Sequence, residues 1–572
     1  MFREHIARFI ATIFLLTLGL GLATSAQTDS ATSNLAKNRA TPPQTFGQSQ
    51  TALRAIVVSG QLEDLRWPVF SDYRAQVETF YRSFEYSPAW VRHGEPTARA
   101  LEIIAVLQQA DREGLRSEDY DSPRWAGRLS HLAGPHTPSD EARFDVALTV
   151  CTMRYISDVR IGRINPQHLK FHLDVEHKKL DLPRYVRELL VGATDVKSEL
   201  AEIEPPFAVY KETRKALLKY MEMAKEDDGE KLPVPAMTLY PGAGYEGITR
   251  LYRLLRLLGD LPKDTAAPAD TTYQGTLVEA VKRFQQHHGL RADGFLTAET
   301  LKQLNVPLGD RVEQIRLALE RFRWLRHEFS QPPIIVNIPE FRLYAFDKGR
   351  VGLTMNVNVG DAYDFQTPIF EDEIEYLVFR PYWTPPPRIL RNEIIPEIEA
   401  DRNYIKDNNM EVITPDGRPM APSRISDSVL MQLRLGKLAV REKPGPENAL
   451  GLLKVIFPND HHVYLHDTPE SMDMFSQQKR ALSHGCIHLQ SPAELAAWLL
   501  RDKPGWTLDR VEQAMYKGRD NVVVHFAKPV PILLLYVTVV VTENEEVHFY
   551  QDIYGHDITL EKALAKGYPY PR

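Results

Sequence analysis

The chain has 572 residues, 43% apolar and 25% charged, the composition of an ordinary globular protein, and at about 150 residues per domain it implies three to five domains. The net charge of -7 leaves no basic footprint and excludes nucleic acid as the partner. Two cysteines, Cys151 and Cys486, are too few for a disulfide framework.

Arg3, His5 and Arg8 precede an apolar run from Phe9 to Leu22 and then Ala23-Thr24-Ser25-Ala26, the three-part form of a secretory signal. The run is short for a membrane span, which needs about 20 residues. Residues 1–26 are therefore expected to be a signal peptide cut after Ala26, with an uncleaved anchor, and so membrane association, as the open alternative. No cysteine stands there for lipid attachment. Either way the body is exported, which predicts a periplasmic location or an inner-membrane anchor. Residues 27–50, rich in Thr, Ser, Ala, Asn and Gln, read as a flexible linker.

Residues 51–240 carry helical spacing. Ala100 to Gln109 is apolar with Gly114 as its stop; Leu182 to Leu190 and Phe207 to Met223 repeat the pattern. Asp140 to Ile156 shows a stripe of Phe144, Leu148, Cys151 and Tyr155, which makes Cys151 a buried apolar residue. No chemistry is evident in this region. Residues 241–310 predict a small helical module. Ile248, Leu251, Leu254, Leu255 and Leu258 form one face, ended by Gly259. Thr276 and Glu279 read as a capping box, Gly289 as a stop, Asp293-Gly294 as a turn, and Thr297 as the start of a short helix. Residues 311–330 read as a connector helix.

From Ile334 the period becomes that of a sheet. Ile334-Ile335-Val336, Leu343 and Phe346 lead to a turn at Asp347-Lys348-Gly349; Leu353, Met355, Val357 and Val359 then alternate with polar residues. This β-rich domain runs over 331–527. Residues 388–445 break its rhythm with turns and charges and read as an inserted lid. Residues 528–572 read as C-terminal strands and tail. Within them Ile532 to Val541 is too short to span a bilayer as a helix and reads as a buried or edge strand. Asp552-Ile553-Tyr554-Gly555-His556-Asp557 mixes His and Asp without metal-ligand spacing and reads as a structural turn.

The informative stretch is 466–489. Phe457-Pro458-Asn459-Asp460 reads as a hairpin turn that places His466 at a strand end, with His461-His462 on the hairpin surface. Ser483-His484-Gly485-Cys486 then precedes a helix start at Ser491-Pro492-Ala493-Glu494. A thiol attacks as the thiolate and an imidazole is the usual means of deprotonating it, so a catalytic Cys486 is expected to have a depressed pKa. Gly485 lets the backbone approach a substrate, and the amides of Gly485 and Cys486 are candidates for an oxyanion hole.

The order His466…Ser483-His484-Gly485-Cys486 resembles the signature of the L,D-transpeptidase catalytic domain (YkuD). The larger pattern resembles the scaffold-bearing, YcbB-like murein L,D-transpeptidases: 51–240 resembles their scaffold domain and 388–445 their lid. Ala280-Val281-Lys282-Arg283-Phe284-Gln285 with Gly289-Leu290 and Asp293-Gly294 resembles a peptidoglycan-binding-like module, with true binding and a purely structural domain both open. The fold class expected is thus multidomain α+β. The resemblance implies Cys486 as nucleophile, His466 as general base and His484 as a supporting residue. It departs at His488, where many members have Asn or Arg, and at Thr384, where the family usually has Asn. Tyr464, Trp383, Asn448 and His488 are candidate substrate contacts. For Tyr464 and Trp383 packing is the alternative, and for Asn448 a turn-stabilising role. The resemblance implies peptidoglycan stem peptides as donor and acceptor, carbapenem-type β-lactams as inhibitors, and no metal or organic cofactor. A carboxypeptidase or endopeptidase on the same site, or a non-catalytic peptidoglycan-binding protein, stays open.

Overall fold

The N-terminal helices are organised around Pro138–Ile161, started by a capping box at Thr137 and Asp140. Residues 47–192, 195–347, 350–420, 425–470, 472–542 and 544–570 are described by the structure, a computed structural model. The signal and most of the linker lie outside them, as do Lys348 and Gly349 of the expected turn. The first helix, Gln48–Ser59, begins inside the stretch read as linker. No described helix is long and apolar enough to cross a membrane.

Phe144, Leu148, Cys151 and Tyr155 are buried as expected, but so are Asp145, Thr149, Thr152, Arg154 and Asp158. The helix is enclosed on all sides instead of presenting one stripe. Its buried polar groups find partners within the layer. Asp145 accepts from the amides of Ala89 and Trp90 at 3.0 and 2.7 Å and from the Tyr81 hydroxyl at 2.8 Å, and burial still pushes its carboxyl up to about 6. Burial likewise raises the Cys151 thiol, which leaves it inert.

The segment expected to be a connector is Leu308–Phe322, and it belongs to the scaffold core. It packs along Ala208–Glu226. Its Glu320 is fully buried and accepts from the amides of Arg163 and Ile164 at 2.5 and 3.3 Å. A solvated connector would have no use for such a carboxylate.

The small helical module keeps its own core, with Leu251, Leu255, Tyr273, Val281, Phe284 and Leu301. The core takes in Leu232, whose amide and carbonyl are both bonded by the Asn305 side chain, so the module begins before residue 241. The helix Thr276–His287 has Gly275 as its cap and no side-chain capping bond. Glu279 pairs with Lys282 instead of closing a capping box.

The β-rich domain is a nine-stranded sheet. In chain order its strands are β1 Ile334–Asn337, β2 Arg342–Asp347, β3 Arg350–Gly360, β4 Phe370–Phe379, β5 Leu453–Ile456, β6 Leu465–His466, β7 Ala481–Ser483, β8 Ile487–Leu489 and β9 Val522–Leu535. Their spatial order is β7-β3-β8-β6-β5-β4-β9-β1-β2, and a further pairing of β3 with β2 closes the sheet on itself. Strand β9 lies between β4 and β1, so the C-terminal segment is part of this sheet and is not a separate appendage. Its register breaks between His525 and Val530, the stretch that holds Pro529, where a residue without an N–H is tolerated.

Between β4 and β5 an inserted subdomain builds its own core from Leu390, Ile394, Ile398, Val412, Leu433 and Val440. It holds a three-stranded sheet of Met410–Ile413, Pro419–Met420 and Ala439–Glu442. Backbone bonds between Trp383 and Glu442, at 3.2 and 2.7 Å, tie its stem to the main sheet.

Candidate active site

Strand pairing gathers the site. β6 and β8 run parallel with Leu465 opposite Ile487 and His466 opposite His488. Alternate residues share a face of a sheet, so Tyr464 and His466 stand on one face with Cys486 and His488. The neighbouring strands add Lys454 opposite His466 and Asn358 opposite His488. Cys486 and His466 are diagonal neighbours across this pair of strands, and no hydrogen bond joins them in the resting structure.

His466 is buried, and its Nδ1 lies 2.5 Å from the Asp467 carbonyl oxygen. A carbonyl only accepts, so Nδ1 carries the proton and Nε2 keeps its lone pair. Its ring centroid is 4.5 Å from that of His488. Burial, and then His488, hold His466 well below the ordinary value of 6.5, so it is a neutral base at neutral pH.

Cys486 is half-buried, and its Sγ lies 3.8 Å from the His462 carbonyl oxygen. The Tyr464 amide, the Lys454 ammonium and the Tyr464 hydroxyl each favour the thiolate, but burial outweighs them and raises the thiol pKa. The expected depressed pKa is corrected: the resting group is a thiol, because desolvation penalises the charged form more than these neighbours help it. The Lys454 ammonium sits 3.7 Å from the centre of the Tyr464 ring. The Trp383 indole faces the Tyr464 hydroxyl, which in turn faces Cys486. Of the candidate contacts, Tyr464 is thereby brought to the sulfur, and Trp383 to Tyr464.

His488 stands beside this group with Nδ1 3.4 Å from the Asn358 amide nitrogen, and burial pulls it down to about 4. The other candidates have partners of their own. His484 Nε2 is 3.3 Å from Glu393 of the inserted subdomain, and its ring is 4.4 Å from Phe365. Asn448 is buried, donates to the Lys443 carbonyl at 3.0 Å and accepts from the Leu450 amide at 2.8 Å. These bonds fit the turn-stabilising role.

The amide of Gly485 is also spoken for, since it donates to Ser483 Oγ at 3.1 Å. Ser483 Oγ in turn donates to the Cys486 carbonyl at 2.5 Å, and the Thr367 hydroxyl donates to the Gly485 carbonyl at 2.9 Å. Gly485 has φ +107°, and its Cα would lie 2.9 Å from a side chain placed on Gly360. Two glycines are needed for the Cys486 loop to press against the end of β3. Of the two backbone amides expected from sequence as oxyanion donors, that of Cys486 is the one without an acceptor among the described residues, and the Tyr464 hydroxyl faces the sulfur of the same residue.

Sequence reasoning missed several residues. His462, taken for hairpin surface, has φ +56° and supplies the carbonyl facing the thiol, while His461 packs at 4.3 Å on the scaffold's His172. Lys454 and Asn358 are contributed by strands whose pairing no motif reports. Ser483 belongs to the motif and was legible there as a hydroxyl at a tight turn. Tyr554, beyond the motif, donates to the Gly360 carbonyl at 2.6 Å. Asp552, read as part of a structural turn, accepts from the Tyr536 hydroxyl and from the amides of His556 and Asp557. Serine-to-alanine replacement at 483 removes two of the three bonds that shape the Cys486 loop. A misplacement of about 1 Å can cost on the order of 100-fold, so Ser483→Ala should slow acylation of Cys486 by at least about tenfold, read by intact-mass kinetics.

The helix after the motif, Pro492–Leu499, forms as expected with Leu495 and Leu499 buried, although Ser491 makes no side-chain capping bond.

Family comparisons agree with this layout. Residues 75–217 match the model "Scaffold domain", 245–304 match "Putative peptidoglycan binding domain", and 332–524 match "L,D-transpeptidase catalytic domain". A "Putative L,D-transpeptidase" of Haemophilus influenzae is 31% identical over 231 residues, 40% of this chain and 45% of that protein. The chain thus spans under half the length of that relative. "Metalloendoproteinase 1" of Glycine max is 33% identical over 70 residues, 12% of this chain and 22% of that protein. Among solved structures, an L,D-transpeptidase from Xylanimonas cellulosilytica is 14% identical with a TM-score of 0.16, covering 53% of this chain and 100% of that one. One from Stackebrandtia nassauensis is 15% identical with a TM-score of 0.20, covering 53% and 97%. In chain order the protein thus carries stretches that match a scaffold domain, a peptidoglycan-binding domain and an L,D-transpeptidase catalytic domain.

Proposed function

We propose that the protein is an exported L,D-transpeptidase that cross-links third residues of peptidoglycan stem peptides through a cysteinyl thioester and releases D-alanine. The observation that carries this reading is the shared sheet face on which a thiol, Cys486, adjoins an imidazole, His466, whose tautomer leaves Nε2 free to take a proton. In the proposed reaction Cys486 Sγ attacks the carbonyl between the third residue and the terminal D-alanine, and its proton passes to His466. The oxyanion forms against the Cys486 amide and the Tyr464 hydroxyl. Collapse expels the D-alanine amine, which takes the proton from His466 and leaves the thioester. A side-chain amine of a second stem then attacks the thioester, gives its proton to His466, and frees the thiol as the new amide forms. The bond energy is conserved in the exchange, so ATP is unnecessary.

Transfer, as opposed to hydrolysis, is favoured by the inserted subdomain, whose Glu393 meets His484 in the motif loop and whose Arg388 guanidinium lies 4.4 Å from the Phe365 ring centre. A cover so placed limits the access of water to a thioester. The decisive experiment is incubation with tetrapeptide muropeptides followed by mass analysis. Cross-linked dimer is expected, whereas tripeptide alone would assign the site to a carboxypeptidase.

Removing one oxyanion donor costs about 100- to 1,000-fold in kcat. Tyr464→Phe should show a loss of that order at little change in KM; unchanged kcat would reduce Tyr464 to packing. A half-buried neutral thiol beside a neutral imidazole base also fits inhibition by carbapenem-type β-lactams. The expected result is a single covalent adduct on Cys486 by intact mass, and its absence would count against the site. Export to the periplasm, with or without a retained membrane anchor, rests on the N-terminal signal. Fractionation of cells expressing the full chain tests it.

A further inference from the structure

We propose that His287, Glu546 and His548 form a binding site for a divalent transition metal, zinc by donor chemistry, that clips the peptidoglycan-binding domain to the C-terminal hairpin of the catalytic domain. One donor atom from each residue lies within 4.8 Å of the other two. His287 ends the module's helix Thr276–His287, and His548 lies on the strand Val547–Phe549, with Glu546 in the turn before it. The cluster therefore joins two units far apart in sequence, and the two imidazole rings meet edge to face at 5.1 Å.

Two observations separate this cluster from a chance grouping of surface side chains. His287 Nδ1 lies 2.8 Å from the buried carboxylate of Asp260. That bond puts the proton on Nδ1 and leaves Nε2 as the donor, the way a carboxylate behind a ligating histidine orients it toward a metal. The second is His548 Nε2. It is shielded from solvent and has no hydrogen-bond partner. Its near polar neighbours are the Glu546 carboxylate at 3.9 Å and the Gln286 carbonyl. A buried ring nitrogen without a hydrogen-bond partner is an unmet demand, and a metal ion satisfies it in the tautomer that carries the proton on Nδ1.

Two imidazoles and one carboxylate suit zinc, with the fourth position left to water. Calcium and magnesium prefer all-oxygen sets. Zinc bonds of about 2.0–2.1 Å bring tetrahedral donors to roughly 3.4 Å of one another. The cluster must therefore contract slightly, and the half-exposed Glu546 side chain is the member able to swing. His548 also lines a cavity of about 670 Å³ between the module and the main sheet, so a metal here fixes one wall of that space. The chain has no disulfide, and this clip takes the place of one in setting the module's orientation.

The test is titration of the full chain with zinc chloride by calorimetry, with Cys486 carbamidomethylated so that the thiol does not compete. Cobalt(II) absorption reports the geometry. One metal per chain with tetrahedral cobalt bands is expected. His548→Ala should weaken zinc binding at least tenfold and Asp260→Asn about ten- to 100-fold. Glu546→Gln changes a half-exposed side chain, so it decides the matter even if a histidine variant misfolds by circular dichroism; it too should weaken binding at least tenfold. Absence of stoichiometric zinc in the parent, or equal affinity in Glu546→Gln and the parent, overturns the proposal.

Discussion

Replacing Cys486 with alanine should abolish formation of cross-linked muropeptide dimers, a loss of about 10,000-fold or more by analogy with other removed nucleophiles, while the chain keeps its fold. The size of the effect follows from the chemistry, since no other described nucleophilic thiol exists: Cys151 is fully buried inside the scaffold. The mildness of the structural effect follows from the contacts. The thiol donates one weak bond, 3.8 Å to the His462 carbonyl, beside the Tyr464 hydroxyl and amide, and the loop is held by Ser483 and Thr367 without it. Muropeptide mass analysis measures the first and thermal unfolding the second. Dimer produced by the alanine variant at a rate within a few-fold of the parent would end the assignment of Cys486, whatever the rest of the fold suggests.

The motif residues were legible because chemistry forces them to be close in sequence. Ser483, Gly485 and Cys486 shape one tight loop, and Pro492 marks the helix that follows. What the sequence concealed is the pairing of distant strands. Lys454 and Asn358 enter the site only because β5 and β3 flank β6 and β8, a register that no local pattern records. His484 was legible as a supporting residue, but not which partner it takes: its ring meets Glu393 of the inserted subdomain and Phe365, contacts that no local pattern records. The enclosed helix Pro138–Ile161 and the buried Glu320 misled in another way. A polar residue in a helical stripe reads as solvent-facing unless its partners, here in segments more than fifty residues away, are known. The depressed thiol pKa was expected from neighbouring imidazoles; in the folded site burial dominates, and burial is a tertiary quantity.

That correction changes how the proton should move. Above the range in which His466 is protonated, which burial holds well below 6.5, and below the raised pKa of Cys486, whose ordinary value is 9.0, the free enzyme holds a neutral thiol and a neutral imidazole. Neither titrates there, so the rate of Cys486 acylation by a β-lactam should be flat from pH 6.5 to the ordinary thiol value of 9.0. It should fall only in more acidic solution, as His466 gains a proton. Replacing His466 with glutamine keeps a donor for the Asp467 carbonyl but removes the base. A general base contributes about 100- to 10,000-fold, and a loss in that range is expected at neutral pH. The pH profile should also change sign. With no base, attack depends on the preformed thiolate, so the variant's rate should rise about tenfold per pH unit until Cys486 itself ionises. The variant would recover most relative to the parent in alkaline solution. Intact-mass acylation kinetics across this range measure both curves. A parent rate that climbs tenfold per unit through neutrality, or a glutamine variant with a flat profile, would show that His466 does not accept the thiol proton.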